Sequence, residues 1–256
     1  MPDIPPPGAP AVVGEALRIV ETAKEKRITL RMFGAAAIFQ HCPKYGHLFQ
    51  AMGRIPGDID LASYDKYSSK VAEVIQGLGY EEDMTVTAFG SGRLIFSRTS
   101  DGLHCDVFLG KLEMSHVISF DHRLELDYPT VSLADLFLSK MQIFKLNEKD
   151  AVDTIVLLRE HPMGPSDNET INSGYVIHLC SKDWGLWRTV NDNLKKVSAL
   201  LPNYSALDKG DKDDVESKIA SLLASLESVP KSLSWKVRAR VGDSRKWYNE
   251  VDDVYR

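Results

Sequence analysis

The feature that most restricts the fold is a strand-like run that ends at a glycine and continues as an alanine-rich run. Residues 28–33 alternate between two faces, as in a half-buried strand, and Gly34 lets the backbone turn sharply into residues 35–39. Before them, apolar residues recur at helical spacing over residues 12–26. The folded part of the chain is therefore predicted to begin with a helix, a strand, a glycine turn and a second helix.

Two aspartates occupy the next strand-like segment. In Asp58-Ile59-Asp60-Leu61 polar and apolar residues alternate, so both carboxylates lie on one face and repel each other unless they are solvated or bridged. A divalent cation removes that conflict, because magnesium accepts a few carboxylate oxygens and fills its other positions with water and substrate phosphates. A solvated strand face is the alternative interpretation of the same pair.

A third aspartate follows on a predicted antiparallel meander. Residues 84–89, 93–98 and 104–109 have the pattern of short strands, and the glycine-containing segments between them suit tight turns. Asp106, on the last of these strands, would join the first two aspartates if its strand pairs beside theirs. His104 shares its face and is a secondary candidate for substrate contact, whereas Cys105 faces away and is predicted to be buried.

The rest of the chain is predicted to be mainly helical. An extended piece over residues 123–126 precedes helices over residues 136–144 and 147–159, and a segment rich in proline, residues 161–165, is the clearest break. We predict a disordered leader over residues 1–11, a first domain over residues 12–160 and a helical C-terminal domain over residues 166–256. The expected class is α/β (α+β), with a small mixed β-sheet flanked by helices.

The helical C-terminal domain contains all four tryptophans and a cluster of basic residues. The tryptophans are either packing anchors or base-stacking platforms. The basic cluster would receive RNA or another polyanion, or it is a solvated charged face balanced by nearby acids. Its members are Lys231, Lys236, Arg238, Arg240, Arg245 and Lys246.

Composition excludes several classes of protein. A net charge of −5 and a calculated pI near 5.8 argue against a surface built as a whole to neutralise nucleic-acid phosphates. The three cysteines are far apart and lack the spacing of a zinc site or a disulfide framework, so a reducing cytoplasm is expected. No signal peptide and no membrane-spanning segment is recognisable, so no membrane partner is expected.

Taken together, these motifs resemble the nucleotidyltransferase superfamily. Its pattern is a strand ending in a glycine turn and helix, then a pair of acids flanked by apolar residues, then a third acid on a later strand. Gly34-Ala35, Asp58-Ile59-Asp60-Leu61 and Cys105-Asp106-Val107-Phe108 match these parts in order. The resemblance covers about residues 28–159, is closest to the minimal and abortive-infection or toxin-type branch, and implies a nucleotidyltransferase fold.

Additional residues resemble motifs of that branch. Arg54 is similar to an arginine that precedes the acid pair, Lys140 to a lysine on a helix, and Lys149-Asp150-Ala151-Val152-Asp153 to a charged helix. Solvated, ion-paired or structural roles explain these residues as well. Ala35 stands where the branch usually has serine or glycine, so a hydroxyl that would hold a phosphate is missing. The resemblance implies a nucleotide-binding set of Gly34, Ala35, Arg54, Lys140 and Asp150.

The activity that the resemblance implies is metal-dependent nucleotide transfer. Asp58 and Asp60 would hold magnesium, or manganese, against the nucleotide phosphates, and Asp106 would complete a second metal position and help deprotonate the attacking hydroxyl. A nucleoside monophosphate would pass from a nucleoside triphosphate such as ATP to an RNA, protein or small-molecule acceptor. The alternative is a catalytically inactive binding module of the same fold, with an antitoxin as its partner in a toxin–antitoxin pair.

Overall fold

The structure is a computed structural model that describes residues 8–84 and 92–251. It is of mixed α/β class and contains a mixed sheet flanked by helices, as the sequence predicted. The strand predicted over residues 84–89 and the turn that follows it lie almost wholly outside the described residues.

Helices account for most of the regular structure. In chain order they are α1 (Ala9–Glu25), α2 (Gly34–His41), α3 (His47–Ala51), α4 (Ser68–Gly77), α5 (Leu133–Met141), α6 (Glu148–Glu160), α7 (Ser173–Lys182), α8 (Trp184–Leu200), α9 (Lys209–Ser228) and α10 (Leu233–Val241). The strands are β1 (Leu30–Phe33), β2 (Ile59–Ser63), β3 (Tyr80–Glu82), β4 (Arg93–Arg98), β5 (His104–Leu109), β6 (Lys111–Glu113), β7 (Val117–Ser119), β8 (Met163–Gly164) and β9 (Ile171–Asn172).

The chain divides into two compact units that do not follow the predicted domain boundary. The first comprises the described part of Met1–Pro43 together with Ile55–Glu113 and Val117–Ser132. The second comprises Lys44–Arg54, Met114–His116 and the described part of Leu133–Arg256. The proline-rich break predicted at residues 161–165 therefore falls inside the second unit, between α6 and α7.

The first unit is built on a five-stranded sheet with the order β1-β2-β5-β4-β3. β2 runs parallel to β5, whereas the other neighbouring strands are antiparallel. Helices α1 and α2 pack against β1 and β2, and α4 packs against β3. Because β2 and β5 are neighbours in the sheet although the described strands β3 and β4 lie between them in sequence, residues distant along the chain lie side by side on inner strands of this sheet.

The predicted sequence of strand, glycine turn and helix is confirmed. β1 ends at Phe33, and Gly34 opens α2 with a φ of +63°, a value that L-residues rarely adopt. The Phe33 ring contacts Phe108 and Phe120 edge to face, with ring centroids 5.7 Å apart in both pairs. These contacts fix the end of β1 in the core, so the helix start after it has a defined position.

Two finer predictions in the first unit differ from the structure. The extended piece predicted over residues 123–126 is wrong, because these residues form turns. β3 was not predicted, since its sequence Tyr80-Glu81-Glu82 is short and acidic, yet it pairs with β4 as the edge of the sheet. The hairpin of β4 and β5 is confirmed, with Ile95 opposite Asp106.

The described part of the second unit is helical, apart from the short parallel pair of β8 and β9. α3 packs on α6, and α5 packs on α6, α7 and α8. Within the predicted helical domain the first helix, α7, begins at Ser173, because Ile171 and Asn172 form β9 and pair with β8. Asn172 then caps α7, its side chain accepting a hydrogen bond from the amide of Tyr175 at 3.0 Å.

The tryptophans of this unit are packed against other rings. Trp187 meets Trp235 with centroids 5.2 Å apart, and Trp184 meets Trp247 at 5.8 Å. The guanidinium of Arg238 lies 4.6 Å from the centroid of the Trp184 ring. These contacts support the packing interpretation over base stacking. Within residues 8–84 and 92–251, no helix combines the length and the apolar character that crossing a bilayer requires.

Candidate functional site

Asp60 and Asp106 face each other across two neighbouring strands. β2 and β5 are parallel, and their register pairs Asp60 with Asp106. Both side chains therefore lie on the same face of the sheet. The residues on the opposite face of this segment, Ile59, Leu61, Cys105 and Val107, are fully buried. This burial fixes which way the two carboxylates point, because a slip of one residue would place them in the core.

Asp58 completes what we call the acidic edge, defined as Asp58, Asp60 and Asp106. Asp58 lies just before β2 and is exposed, whereas the other two carboxylates are partly buried. Burial raises the pKa of Asp106 above its ordinary value, Arg93 opposes that rise, and the negative charge of Asp58 adds to it. Asp58 and Asp106 therefore share one electrostatic environment.

Gly34 leaves the space that the carboxylate of Asp60 occupies. A Cβ added at Gly34 would lie 2.0 Å from a carboxylate oxygen of Asp60, which is far inside van der Waals contact. The positive φ of Gly34 and this close approach are two independent reasons for glycine at the start of α2. The carboxylate of Asp60 therefore lies against the first turn of α2, where the helix dipole favours negative charge.

Ala35 is buried beside Gly34 and has no hydroxyl to offer a phosphate. The backbone amides at the start of α2 are the remaining groups of this turn that would bind an anion. His104, the secondary candidate, is exposed at the start of β5, and its Nδ1 lies 3.3 Å from Oγ of Ser97. Cys105 is buried as predicted, and burial raises the pKa of its thiol well above the ordinary value.

Arg93 is a site residue that the sequence analysis did not identify. It lies on β4, forms an ion pair with Asp106, and its guanidinium carbon lies 4.9 Å from the centroid of the Phe108 ring. A signal for it exists in the sequence. Once the hairpin turn at residues 99–102 sets the register of β4 and β5, Arg93 falls on the same face as Asp106 and two residues from its partner Ile95.

The chemistry of the acidic edge fits a magnesium ion, because carboxylate oxygens are the protein ligands that this ion prefers. The room that Gly34 leaves for Asp60 and the register of Asp60 with Asp106 agree with such a site. In the described part of the chain, however, no three acidic, histidine or cysteine side chains are already arranged to hold a metal ion. In this arrangement Asp106 is held by Arg93, so a cation that binds there meets a carboxylate already paired with a positive side chain.

The other predicted nucleotide-binding residues belong to a buried group in the second unit. We call it the ion cluster and define it as Arg54, Lys140, Asp150 and Asp153. Arg54 donates two hydrogen bonds to the Asp153 carboxylate, at 2.8 and 3.0 Å. Nζ of Lys140 lies 2.9 Å from Asp153 and 3.2 Å from Asp150. The side chain of Asp153 has no exposed surface, and that of Lys140 is 12% exposed.

The ion cluster keeps its charges although it is buried. Burial alone would lower the pKa of Lys140, but Asp153 and Asp150 raise it above the ordinary value. Burial would raise the pKa of Asp153, but Lys140 and Arg54 lower it. The cluster joins Lys140 on α5 and the two aspartates on α6 to Arg54. Asn147 caps α6 by accepting a hydrogen bond from the amide of Asp150, which sets the direction of the first turn of the helix.

The predicted site residues thus fall into two groups. The first unit brings together Gly34, Ala35 and the acidic edge, and the second unit brings together Arg54, Lys140 and Asp150 with Asp153. No model of a known protein family matches the chain, and no curated protein is significantly similar to it in sequence. The functional assignment therefore depends on the residues themselves and on the geometry of the acidic edge.

Proposed function

We propose that the protein is a nucleotidyltransferase of nucleotidyltransferase fold that transfers a nucleoside monophosphate from a nucleoside triphosphate to an acceptor. The observation that carries the proposal is the register of β2 and β5, which sets Asp60 opposite Asp106 on one face of the sheet. The exposed Asp58, two residues before Asp60, adds a third carboxylate at the same edge. Three carboxylates from two strands are a donor set suited to a magnesium–triphosphate complex.

Each residue of the acidic edge has a defined task in this proposal. Asp58 and Asp60 would hold the magnesium, and Asp106 would complete a second metal position and accept the proton of the acceptor hydroxyl. The acceptor oxygen bonds to the α-phosphorus, the bond from that phosphorus to the bridging oxygen breaks, and pyrophosphate leaves. Bound magnesium would supply positive charge to the phosphate oxygens. Gly34 and Ala35 orient the triphosphate through the backbone amides at the start of α2.

The ion cluster has no part in the proposed chemistry. Lys140 and Arg54 are already paired with Asp153 inside the second unit, and their side chains are 12% and 10% exposed. A buried cation that leaves its carboxylate partners for a ligand leaves those charges uncompensated. The contacts of Arg54, Lys140 and Asp150 therefore favour a structural role over nucleotide binding.

The test is a titration of the protein with Mn²⁺ followed by calorimetry, alone and with a non-hydrolysable nucleoside triphosphate. Asp60→Asn is expected to weaken metal binding by about tenfold or more, since it removes a charged ligand. Asp121→Asn is the matched control, because Asp121 belongs to the same unit and its side chain is 78% exposed. Equal metal affinity in the parent, Asp60→Asn and Asp121→Asn would overturn the proposed site.

A second candidate function is a non-catalytic binding module of the same fold, which would act with a protein partner such as an antitoxin. Two observations favour it: Ala35 offers no hydroxyl, and Arg93 holds Asp106 in an ion pair. Incubation with labelled nucleoside triphosphates, Mg²⁺ and total RNA separates the two candidates. Sustained pyrophosphate release that Asp60→Asn abolishes supports the enzyme, whereas metal-dependent triphosphate binding without turnover supports the module.

A further inference from the structure

Arg93 forms an ion pair with Asp106 of the acidic edge. It lies on β4 and reaches Asp106 diagonally across the hairpin of β4 and β5. The Phe108 ring supports one side of the guanidinium, yet the Arg93 side chain remains 32% exposed. Arg93 is therefore both bound to a proposed metal ligand and accessible from solvent.

The hydrogen-bonding capacity of Arg93 is not fully used by Asp106. Its Nε is buried and has no hydrogen-bond partner in the described chain. A buried donor without an acceptor is unfavourable, so this arrangement is less stable than one in which the planar guanidinium meets several acceptors. The oxygens of a triphosphate offer such acceptors in pairs, which match the forked geometry of arginine.

Asp106 cannot pair with Arg93 and bind a divalent cation equally well at the same time. Both are positive, so a cation bound to Asp106 repels the guanidinium that was paired with it. The cation also brings the triphosphate to the same edge of the sheet, because magnesium retains positions for phosphate oxygens. Arg93 would then exchange one carboxylate for a more highly charged partner close by.

We propose that Arg93 changes partner when the nucleotide binds. In the metal-free protein Arg93 neutralises Asp106, and in the metal-bound protein it binds the phosphates of the nucleoside triphosphate. This inference rests on the proposed function, since it assumes that the acidic edge binds a divalent cation with a triphosphate. It adds a phosphate-binding residue to the site and gives the ion pair of Arg93 with Asp106 a role before the nucleotide binds.

The experiment compares the parent with Arg93→Gln, Arg93→Lys and Arg98→Gln. Arg98 is the matched control, because it lies on the same strand with its side chain on the opposite face and is ion-paired with Asp101. Calorimetry measures the affinity for Mn²⁺ alone and then for a non-hydrolysable nucleoside triphosphate at saturating Mn²⁺. Circular dichroism restricts the comparison to folded variants.

Arg93→Gln is expected to bind Mn²⁺ alone about threefold or more tightly, since Asp106 is released and a repelling charge is removed, and to bind the triphosphate about tenfold more weakly. Arg93→Lys retains the charge and is expected to keep the metal affinity of the parent, as is Arg98→Gln. Should Arg93→Gln fail to fold, the triphosphate affinity of Arg93→Lys decides. Weaker binding than in the parent supports the proposal, because a lysine cannot offer the forked pair of donors, and equal binding contradicts it.

The two opposite affinity changes together support the exchange of partners. If the parent binds both ligands and Arg93→Gln binds both as the parent does, this inference is overturned while the proposed function stands. A parallel loss of both affinities overturns it too, because it assigns Arg93 a simple structural role. If neither the parent nor any variant binds Mn²⁺ or the triphosphate, the proposed function fails, and the inference fails with it.

Discussion

The acidic edge and the ion cluster both contain aspartates, but their negative charge is balanced differently. In the ion cluster two cations meet two carboxylates, and all four side chains are largely buried. At the acidic edge Asp60 lies beside Asp106 on the neighbouring strand, Asp58 is exposed, and the negative charge of Asp58 acts on Asp106. Buried and neutralised charges fix a fold, whereas clustered carboxylates open to solvent are available to a cation.

The largest effect that would test this comparison is expected from Asp153→Ala. The substitution leaves Arg54 and Lys140 buried without their shared partner, so we expect the free energy of unfolding to fall by about 3–5 kcal/mol. Urea denaturation measures it. Asp192→Asn is the control, because its ion pair with Arg188 is partly exposed and contributes at most about 1 kcal/mol. A loss of the same size in both variants would contradict the structural role of the cluster.

A smaller but still clear effect is expected from Gly34→Ala in the first unit. The alanine must adopt a positive φ, and its Cβ displaces the Asp60 carboxylate, so we expect a loss of about 2 kcal/mol or more. Gly102→Ala isolates the first of these costs, since Gly102 has a φ of +72° and nothing within 4 Å of an added Cβ. Equal unfolding free energies for the two variants would mean that Asp60 does not approach Gly34 closely.

Asp58→Asn is expected to change stability very little. Asp58 is exposed and its charge acts against its neighbours, so the free energy of unfolding should stay within about 0.5 kcal/mol of the parent or rise slightly. Urea denaturation at low ionic strength measures the difference. A loss comparable to that of Asp153→Ala would show that the acidic edge is a structural element and not an open site.

The smallest effect is a pH dependence from His116 in the second unit. His116 is buried, its Nε2 lies 2.8 Å from Oγ1 of Thr189, and burial lowers its pKa although Asp183 opposes the change. The unfolded chain takes up a proton near pH 6.5, and the folded protein does so only at lower pH. The contribution of His116 to the free energy of unfolding is therefore fully present above about pH 6.5 and declines as the pH falls towards the pKa of His116 in the folded protein.

Urea midpoints measured from pH 8 to pH 5 test this dependence, with His116→Gln as the variant that should reduce the slope. The ion cluster is not expected to contribute in that range. The pKa of Asp153 is lowered, so its stabilisation is lost only at more acidic pH, and the pKa of Lys140 is raised, so its stabilisation persists until strongly alkaline pH. An unchanged slope in His116→Gln would assign the dependence to another group.

Local features of the first unit were predictable from the sequence. The turn at Gly34 needs only a residue that tolerates positive φ between a strand and a helix, and that requirement is visible in neighbouring letters. The strand that carries Asp60 follows from the alternating pattern, whereas Asp58, predicted on the same strand, lies in the bend before it. The coarse α/β class follows from the same patterns, and the strand at β3 was missed because its acidic residues suit an edge more than a core.

Other features depend on pairings that no local pattern contains. Arg54 and Asp153 are 99 residues apart in sequence, so their contact follows from the packing of the second unit. The resemblance assigned Arg54, Lys140 and Asp150 to nucleotide binding, because a sequence motif does not show whether a charged side chain is exposed to a ligand or buried in an ion pair. Arg93 was missed because its contact with Asp106 becomes visible only when the register of β4 and β5 is derived from the turn at residues 99–102.

The contact between Gly34 and Asp60 restricts the order in which this sequence can change. While Asp60 is present, a side chain at position 34 meets both an unfavourable φ and an occupied space. Once a smaller residue replaces Asp60, only the backbone cost remains, so the two substitutions are not additive. Mutational paths that replace the carboxylate first are therefore more accessible than those that replace the glycine first, and a lineage that keeps Asp60 is expected to keep Gly34.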